Sequence, residues 1–360
     1  MVQSSNIPQS INSKILKKYQ LTVNNTNETF TISDENIQEL TNISTKYSKI
    51  ISNVMKESQK NIVGQEEVIK KIIISIISDG HVLLESVPGL AKTLMIKTMA
   101  DIFSVNNVRI QFTPDLLPAD ILGTKIYKNN TGTFEIQKGP IFHNFVLADE
   151  INRAPPKVQS ALLESMQEKQ VSIHGETFQL DKPFLVLATQ NPIENEGTYK
   201  LPEAQVDRFA VKILINYPTI DQEIKIMERN TSNIQIKINP VVKLNEIIEM
   251  QEFNEKIYAD NIILKYVAKI IDATRNPKKY ELDLEDIIEY GASPRASIWL
   301  IKTAKANAMI NGRGYVIPED IKEVAHDVLR HRLILTFEAE ADEINSDTVI
   351  DRILEKITSP

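Results

Sequence analysis

Five short apolar runs alternate with longer amphipathic segments between residues 81 and 215, and this alternation limits the fold most. The runs are HVLLE (81–85), VRIQF (108–112), FVLAD (145–149), FLVLAT (184–189) and VKILI (211–215). Apolar runs of this length are typical of strands buried on both faces, and the segments between them have helical spacing. The pattern predicts an α/β fold, a parallel sheet with helices on both faces.

Other segments break this alternation. Residues 124–137 and 170–180 have the pattern of hairpins. After Pro218 the strand pattern stops and helical spacing continues to the end of the chain, while the first residues are polar and rich in Asn, Ser and Thr. Three parts are therefore predicted: a polar N-terminal tail or appendage (1–45), an α/β core (46–217) and an all-α domain (218–360).

Composition excludes several kinds of function. The net charge of -7 argues against nucleic-acid binding through a broad basic surface. The chain has no cysteine, which excludes disulfides and cysteine-ligated zinc, and its five histidines form no HxxxH or HExxH pair. The densest apolar stretch, Ile72 to Ile77, is too short to span a bilayer. Residues 1–10 have no export signal, so we expect a cytoplasmic protein.

A loop with the character of a phosphate-binding site follows the first apolar run. Its sequence, SVPGLAKT, leads into an amphipathic helix, so that backbone N–H groups can face an anion. Lys92 would meet the β- and γ-phosphates, Thr93 would ligate Mg²⁺, and Gly89 is free to adopt a positive φ. Ser86 and Ala91 replace the two glycines of the pattern GxxxxGK[ST]. An ordinary turn with a solvated lysine is therefore the alternative.

Polar residues end the third and fourth apolar runs, at the edge where open α/β sheets bind ligands. Asp149 would hold Mg²⁺ through water, and Glu150 would polarise the attacking water as a general base. The amide of Asn191 would hold that water or the γ-phosphate. The simpler interpretations are a solvated strand end for the two carboxylates and a turn for Asn191-Pro192.

Two arginines are candidates for contacts with the same phosphates. Arg208 follows Asp207, and such neighbours usually form a weak surface ion pair. Its functional interpretation is an arginine finger that reaches the γ-phosphate of a neighbouring subunit. Arg295 opens a helix after Ser293-Pro294, where the helix dipole disfavours a cation, and this misfit suggests a compensating anion such as a nucleotide phosphate.

These segments resemble the MoxR family of AAA+ ATPases. The resemblance extends from about Ile62 to Phe337, and its most specific blocks are LADEINRAPPKVQSALLE (147–164) and LPEAQVDRF (201–209). It implies an AAA+ P-loop core followed by an all-α lid domain. The 124–137 hairpin corresponds to the family's helix-2 insert and the 170–180 hairpin to its pre-sensor-1 insertion, both facing a central pore.

The resemblance also implies residue roles. Lys92 and Thr93 match Walker A, Asp149 and Glu150 match Walker B, and Asn191 matches sensor 1. The two arginines match the arginine finger acting in trans (Arg208) and sensor 2 (Arg295). The implied nucleotide-binding residues are Ile62, Val63 and Gly64 beside the adenine, and Val87, Pro88, Gly89, Leu90, Ala91, Lys92, Thr93, Leu94 and Arg295. Ala91 is usual in the family, whereas Ser86 stands where glycine is usual and is tolerated if its φ is negative.

The implied function is Mg²⁺-dependent ATP hydrolysis that drives chaperone-like remodelling, maturation or activation of partner protein complexes. Members of the family form hexameric rings and often act with proteins that carry von Willebrand factor A domains. One alternative is a DNA-translocating or chelatase-like AAA+ motor, which the acidic charge disfavours for DNA. The other is a nucleotide-dependent scaffold without turnover, against which Glu150, Asn191 and Arg208 argue.

Overall fold

The computed structural model describes residues 34–87, 89–130, 132–191, 198–231 and 236–360. The strands are β1 Val82–Glu85, β2 Asn107–Gln111, β3 Gly123–Lys128, β4 Thr133–Lys138, β5 Phe145–Asp149, β6 Gln170–Ile173, β7 Glu176–Gln179, β8 Leu185–Gln190, β9 Val211–Leu214, β10 Ile288–Tyr290 and β11 Ile334–Leu335. The helices are α1 Asp34–Gln59, α2 Glu66–Ile77, α3 Lys92–Ile102, α4 Pro118–Leu122, α5 Pro156–Glu168, α6 Glu203–Val206, α7 Ile220–Thr231, α8 Leu244–Lys256, α9 Asn261–Arg275, α10 Pro294–Ile310, α11 Pro318–Leu329, α12 Phe337–Ala341 and α13 Ser346–Lys356.

The predicted runs form one parallel sheet in the order β2-β5-β8-β1-β9. Alternate residues of the central strands β5, β8 and β1 enter different cores, because side chains point to opposite faces with a period of two. Leu84 shares a core with Met95 of α3, whereas Leu83 shares another with Leu162 of α5. Helices therefore cover both faces of the sheet, which confirms the predicted fold class.

Both predicted hairpins form, as the antiparallel pairs β3–β4 and β6–β7. They lie outside the five-stranded sheet and are joined by an ion pair between Lys125 and Glu176, whose charged atoms are 3.6 Å apart. The first hairpin exposes two aromatic side chains, Tyr127 and Phe134, with ring centroids 5.1 Å apart. The two insertions are thus in contact with each other.

The predicted boundary of the polar tail is wrong, because α1 begins at Asp34 and not near residue 46. The start of this helix is polar in composition, so its apolar residues Leu40 and Ile43 give only a weak periodic signal. Both pack against the main core. The helix also contacts the second domain, where Ser48 Oγ donates a hydrogen bond to the carbonyl of Ile310 over 2.6 Å. Tertiary packing thus overrides weak helix propensity here. Residues 1–33 lie outside the described part of the chain.

The sequence suggested that the second domain is purely helical after Pro218, and this is wrong. A short antiparallel pair, β10–β11, lies among its helices, and strands of this length give no periodic signal. Helix α10 starts as predicted, with the Ser293 hydroxyl accepting a hydrogen bond from the Arg295 N–H over 3.2 Å. Across the described ranges, every helix is too short or too polar to cross a bilayer.

His81 ties three elements together just before β1. Its Nδ1 accepts a hydrogen bond from the Val186 N–H over 3.0 Å, and its Nε2 donates to the Met166 carbonyl over 3.1 Å. A proton on Nδ1 would face another donor, so this arrangement requires a neutral ring. Burial lowers the pKa of His81 to about 4, and nearby Asp79 and Lys169 act on it in opposite directions.

We expect His81 to make the protein less stable in mild acid. The unfolded histidine has a pKa of about 6.5 and takes up a proton first as the pH falls, so stability is full above that pH and is lost towards pH 4. The loss from this residue is about 3 kcal/mol. Urea unfolding at a series of pH values measures it. His81→Gln should unfold more easily at neutral pH but show a smaller decrease between pH 6.5 and 4; an equal decrease would show that another group is responsible.

Candidate functional site

The carboxyl ends of β1, β8 and β5 bring the predicted loop and the acidic pair to one edge of the sheet. In the register of the strands, Ala148 pairs with Ala188, and Leu84 pairs with Thr189 on the other side of β8. The hydroxyl of Thr189 donates a hydrogen bond to Asp149 Oδ1 over 2.6 Å. Asp149 is therefore two strand spacings, roughly 10 Å, from Leu84. The two motifs meet as predicted.

The loop after β1 has the backbone that its glycine pattern requires. Gly89 has a φ of +87°, as predicted, and Ala91 has a φ of +52°, a left-handed conformation that costs a side-chain-bearing residue roughly 1–2 kcal/mol. Ser86 is absent from the described residues with positive φ, so its side chain is tolerated. Its hydroxyl accepts a hydrogen bond from Lys92 Nζ over 3.0 Å, a contact that glycine would not offer. Pro88 lies outside the described residues.

Helix α3 offers its N-terminus to an anion. Ala91 at the N-cap provides no side-chain hydrogen bond, and the first turn contains no acidic residue. The first backbone N–H groups of a helix lack partners within the helix, and its dipole favours negative charge there. Lys92 and the exposed Thr93 stand in this first turn, so a phosphate would meet both the N–H groups and the ammonium.

Asp149 is a buried carboxylate with two sets of partners. Besides Thr189, it accepts hydrogen bonds from Arg109 Nε over 3.0 Å and from Arg109 Nη2 over 2.7 Å. Sequence reasoning missed both partners, since pairs across strands leave no pattern within one strand.

The oxygens of Asp149 and Thr93 are of the kind that Mg²⁺ prefers. Within the described ranges no three His, Asp or Glu residues cluster as a metal site. Mg²⁺ is usually held by one or two carboxylates together with phosphates and water, and Asp149 and Thr93 would be its protein ligands here.

Glu150 is held in an unusual conformation beside Asp149. Its φ of +57° is left-handed, and its N–H donates to Thr189 Oγ1 over 2.8 Å. Its carboxylate accepts a hydrogen bond from Gln111 Nε2 over 2.8 Å and lies 3.1 Å from Arg153 Nε. Strained backbone of this kind clusters at functional sites. Asn191 is buried, as Asp149 is, and follows β8 at the same edge, as predicted. Residues 192–197 lie outside the described part of the chain.

A cavity of about 410 Å³ opens beside the loop, within the size range of small-molecule sites. Among its predicted lining residues are Ile62, Val63, Gly89, Leu90, Ala91 and Leu94. Sequence reasoning missed Asn61, Gln65, Met95, Tyr217, Pro218, Glu223, Ile226, Arg229 and Ile236. The lining is mostly apolar, as a nucleobase requires. Tyr217 and Pro218 follow β9 at the same sheet edge, which is the signal that could have found them.

Four other predicted nucleotide-binding residues are close to the lining residues along the chain. Val87 precedes the lining residues of the loop, and Lys92 and Thr93 follow them along the chain. Gly64, with a φ of +74°, is next to Val63, and a Cβ built on it would lie 2.3 Å from the side chain of Gln222. The segment before α2 is thereby pressed against α7.

Arg295 contacts Asp207, the residue that directly precedes Arg208. Arg208 lies in the turn after α6, and its Nε is enclosed without a hydrogen-bond partner among the described residues. Arg295 Nη1 is 3.5 Å from Asp207 Oδ2, so a carboxylate compensates this cation. Arg295 is absent from the described lining of the cavity, and the structure thus groups it with Arg208 and not with Lys92. Its contact with nucleotide stays a prediction.

Known proteins are similar to this chain in sequence and in fold. Residues 81–211 match a family model described as the ATPase family associated with various cellular activities, and residues 281–353 match an AAA lid domain. A crystal structure from Cytophaga hutchinsonii, whose protein is provisionally named an ATPase, has a TM-score of 0.84 and 49% identity over 91% of this chain and 98% of its own. The described sheet and its helical second domain are therefore an AAA+ core and lid.

Two curated relatives specify the branch. Chaperone MoxR1 of Mycobacterium tuberculosis is 47% identical over 306 residues, which span 84% of this chain and 81% of the relative. Protein MoxR of Paracoccus denitrificans is 30% identical over 76% of this chain and 86% of its own length. The chain belongs to the MoxR family of AAA+ ATPases.

Proposed function

We propose that this protein hydrolyses ATP to ADP and phosphate and uses the energy to remodel partner protein complexes. The observation that carries the proposal is the meeting of an apolar cavity, an uncapped helix N-terminus and the pair Asp149-Glu150 at one sheet edge. The cavity would bind the adenine among apolar side chains. The loop and Lys92 would hold the phosphates.

Each polar residue at the edge then has one task. Glu150 accepts a proton from the attacking water, and Asn191 orients that water. Thr93 and Asp149 would hold Mg²⁺, which neutralises phosphate charge when bound. Arg208 would stabilise the charge of the transition state in an adjoining subunit, and Arg295 stands beside it. Phosphoryl transfer needs this positioning and electrostatic stabilisation and no covalent step with the protein.

The proposed assembly is a homo-oligomer, a hexameric ring in which each subunit completes its neighbour's site. The name of the Mycobacterium tuberculosis relative, a chaperone, supports client remodelling as the purpose of the reaction. The clients we propose are protein complexes, including those with von Willebrand factor A domains. The net charge of -7 favours protein clients over nucleic acid.

Lys92→Met should lower the rate of phosphate release from Mg·ATP by at least about 100-fold, because it removes a fixed cation from the phosphates. Lys97→Met is the matched control, since Lys97 is an exposed lysine on the same helix. It should retain the wild-type rate. Phosphate release by purified Lys92→Met at the wild-type rate would refute the assignment of the loop.

A further inference from the structure

We infer that Arg332 is a positioning residue that holds Arg208 in place to act on a neighbouring subunit's nucleotide. The inference rests on the proposed function, because it concerns how the lid domain regulates ATP hydrolysis. Arg332 follows α11 in the lid domain, whereas Arg208 belongs to the core. The link between them is a set of hydrogen bonds to the backbone on both sides of Arg208.

The guanidinium of Arg332 brackets Arg208. Its Nη2 donates to the carbonyls of Asp207, over 3.0 Å, and Phe209, and its Nη1 donates to the carbonyl of Ala210 over 3.1 Å. Its Nε donates to the Asp207 carboxylate over 2.8 Å. One side chain thus holds the carbonyl before Arg208 and the two carbonyls that follow in Phe209 and Ala210, and these bonds fix the backbone from which the Arg208 side chain projects.

Only arginine can make this set of contacts. Its planar group presents five donors in a fixed geometry, whereas lysine is a point charge that cannot reach several carbonyls in one plane. Arg332 is 5% exposed, and burial of a cation costs free energy even when it is paired. An apolar side chain would stabilise a turn at lower cost. A buried arginine at position 332 is therefore consistent with a role in orienting the turn that carries Arg208.

Asp207 extends the contact to the start of α10. Its carboxylate accepts hydrogen bonds from Ser293 Oγ over 3.0 and 3.1 Å, and it pairs with Arg295 over 3.5 Å. Ser293 is the N-cap of α10. Three lid residues thus meet one core carboxylate directly before Arg208, and a lid movement would be transmitted to the Arg208 turn.

Strand β9, which follows the Arg208 turn, has its own contact with the lid domain. Arg330 Nη1 donates to the carbonyl of Lys212 over 2.7 Å and pairs with Asp327 over 2.7 Å and with Asp347 over 2.9 Å. Arg330 is therefore a matched control: it is a largely buried lid arginine that contacts the core, but across the described ranges its hydrogen bonds go to Lys212, Asp327 and Asp347 and not to the Arg208 turn.

The test compares Arg332→Lys with Arg330→Lys. Steady-state ATP hydrolysis gives kcat and KM, and thermal unfolding gives stability. We expect Arg332→Lys to lower kcat on the order of 100-fold, the cost of a misplaced catalytic group, with KM within about twofold. Arg330→Lys should lose stability to a comparable extent but keep kcat. Equal kcat values in the two variants would overturn the inference.

A second variant covers the case in which Arg332→Lys does not fold. Asp207→Asn keeps the backbone carbonyls for Arg332 but removes the charge that pairs with it, and it should lower kcat without changing ATP affinity. Full kcat in this variant would count against the inference. If the wild type hydrolyses no ATP, the proposed function fails. If Arg208→Ala loses activity and the Arg332 and Asp207 variants do not, only this inference fails.

Discussion

Glu150→Gln is expected to slow ATP hydrolysis by roughly 10²–10⁴-fold and to leave ATP binding intact. The amide retains the shape of the side chain and an oxygen that accepts the hydrogen bond from Gln111. It cannot take a proton from water, so the chemical step is lost and binding is not. Single-turnover phosphate release and the fluorescence of a labelled ATP analogue measure the two quantities separately.

Glu164→Gln is a suitable control, because Glu164 is an exposed glutamate on α5. It should behave as the wild type. The Glu150 variant held in ATP should also retain client complexes in a pull-down, since hydrolysis no longer resets the protein. Wild-type turnover in Glu150→Gln would refute the assignment of the general base.

Arg208→Ala should lower kcat by about 10³–10⁵-fold, the range for loss of an arginine finger. The loss should be reversible by mixing subunits. A Lys92→Met subunit has an intact Arg208, and an Arg208→Ala subunit has an intact Lys92, so a mixed ring contains sites in which both residues are present. Phosphate release is measured for each variant alone and for the mixture.

Recovery of activity in the mixture would support the finger in trans. The matched control is a mixture of Lys92→Met with the double variant Lys92→Met/Arg208→Ala, in which no site has an intact Lys92. It should stay inactive. If the first mixture also stays inactive although mixed rings form, Arg208 acts within its own subunit or not at all, and the ring model of the site is wrong.

The fold was predictable where the sequence carries long periodic signals. The central strands β5, β8 and β1 coincide with nearly continuous apolar runs, because strands covered on both faces need apolar residues on both sides. The edge strands β2 and β9 include the charged residues Arg109 and Lys212. Helices α10 and α11 carry Pro at N1, and α10 begins after Ser293, where the sequence predicts a helix start. The start of α1 was not predictable, since Leu40 and Ile43 stand among Asn and Thr.

The site was predictable in its motifs and not in its contacts. Lys92, Asp149 and Glu150 stand at loop and strand ends, which topology brings together. Arg109 and Gln111 gave no signal, because their partners lie on another strand.

Arg332 and Tyr217 were missed for related reasons. A charged residue after a helix is usually exposed, and burial of Arg332 depends on carbonyls far away in sequence. Tyr217 lies at the predicted boundary between core and lid, which was drawn where the strand pattern ends, whereas residues on both sides of that boundary line the cavity.

The position of bound nucleotide is the most direct test of the central claim. A crystal structure of Glu150→Gln with Mg·ATP should show the adenine in the cavity beside Ile62 and Tyr217 and the γ-phosphate between Lys92 and the Asp149 carboxylate. Nucleotide bound elsewhere, or a triphosphate that contacts neither Lys92 nor the acidic pair, would contradict it.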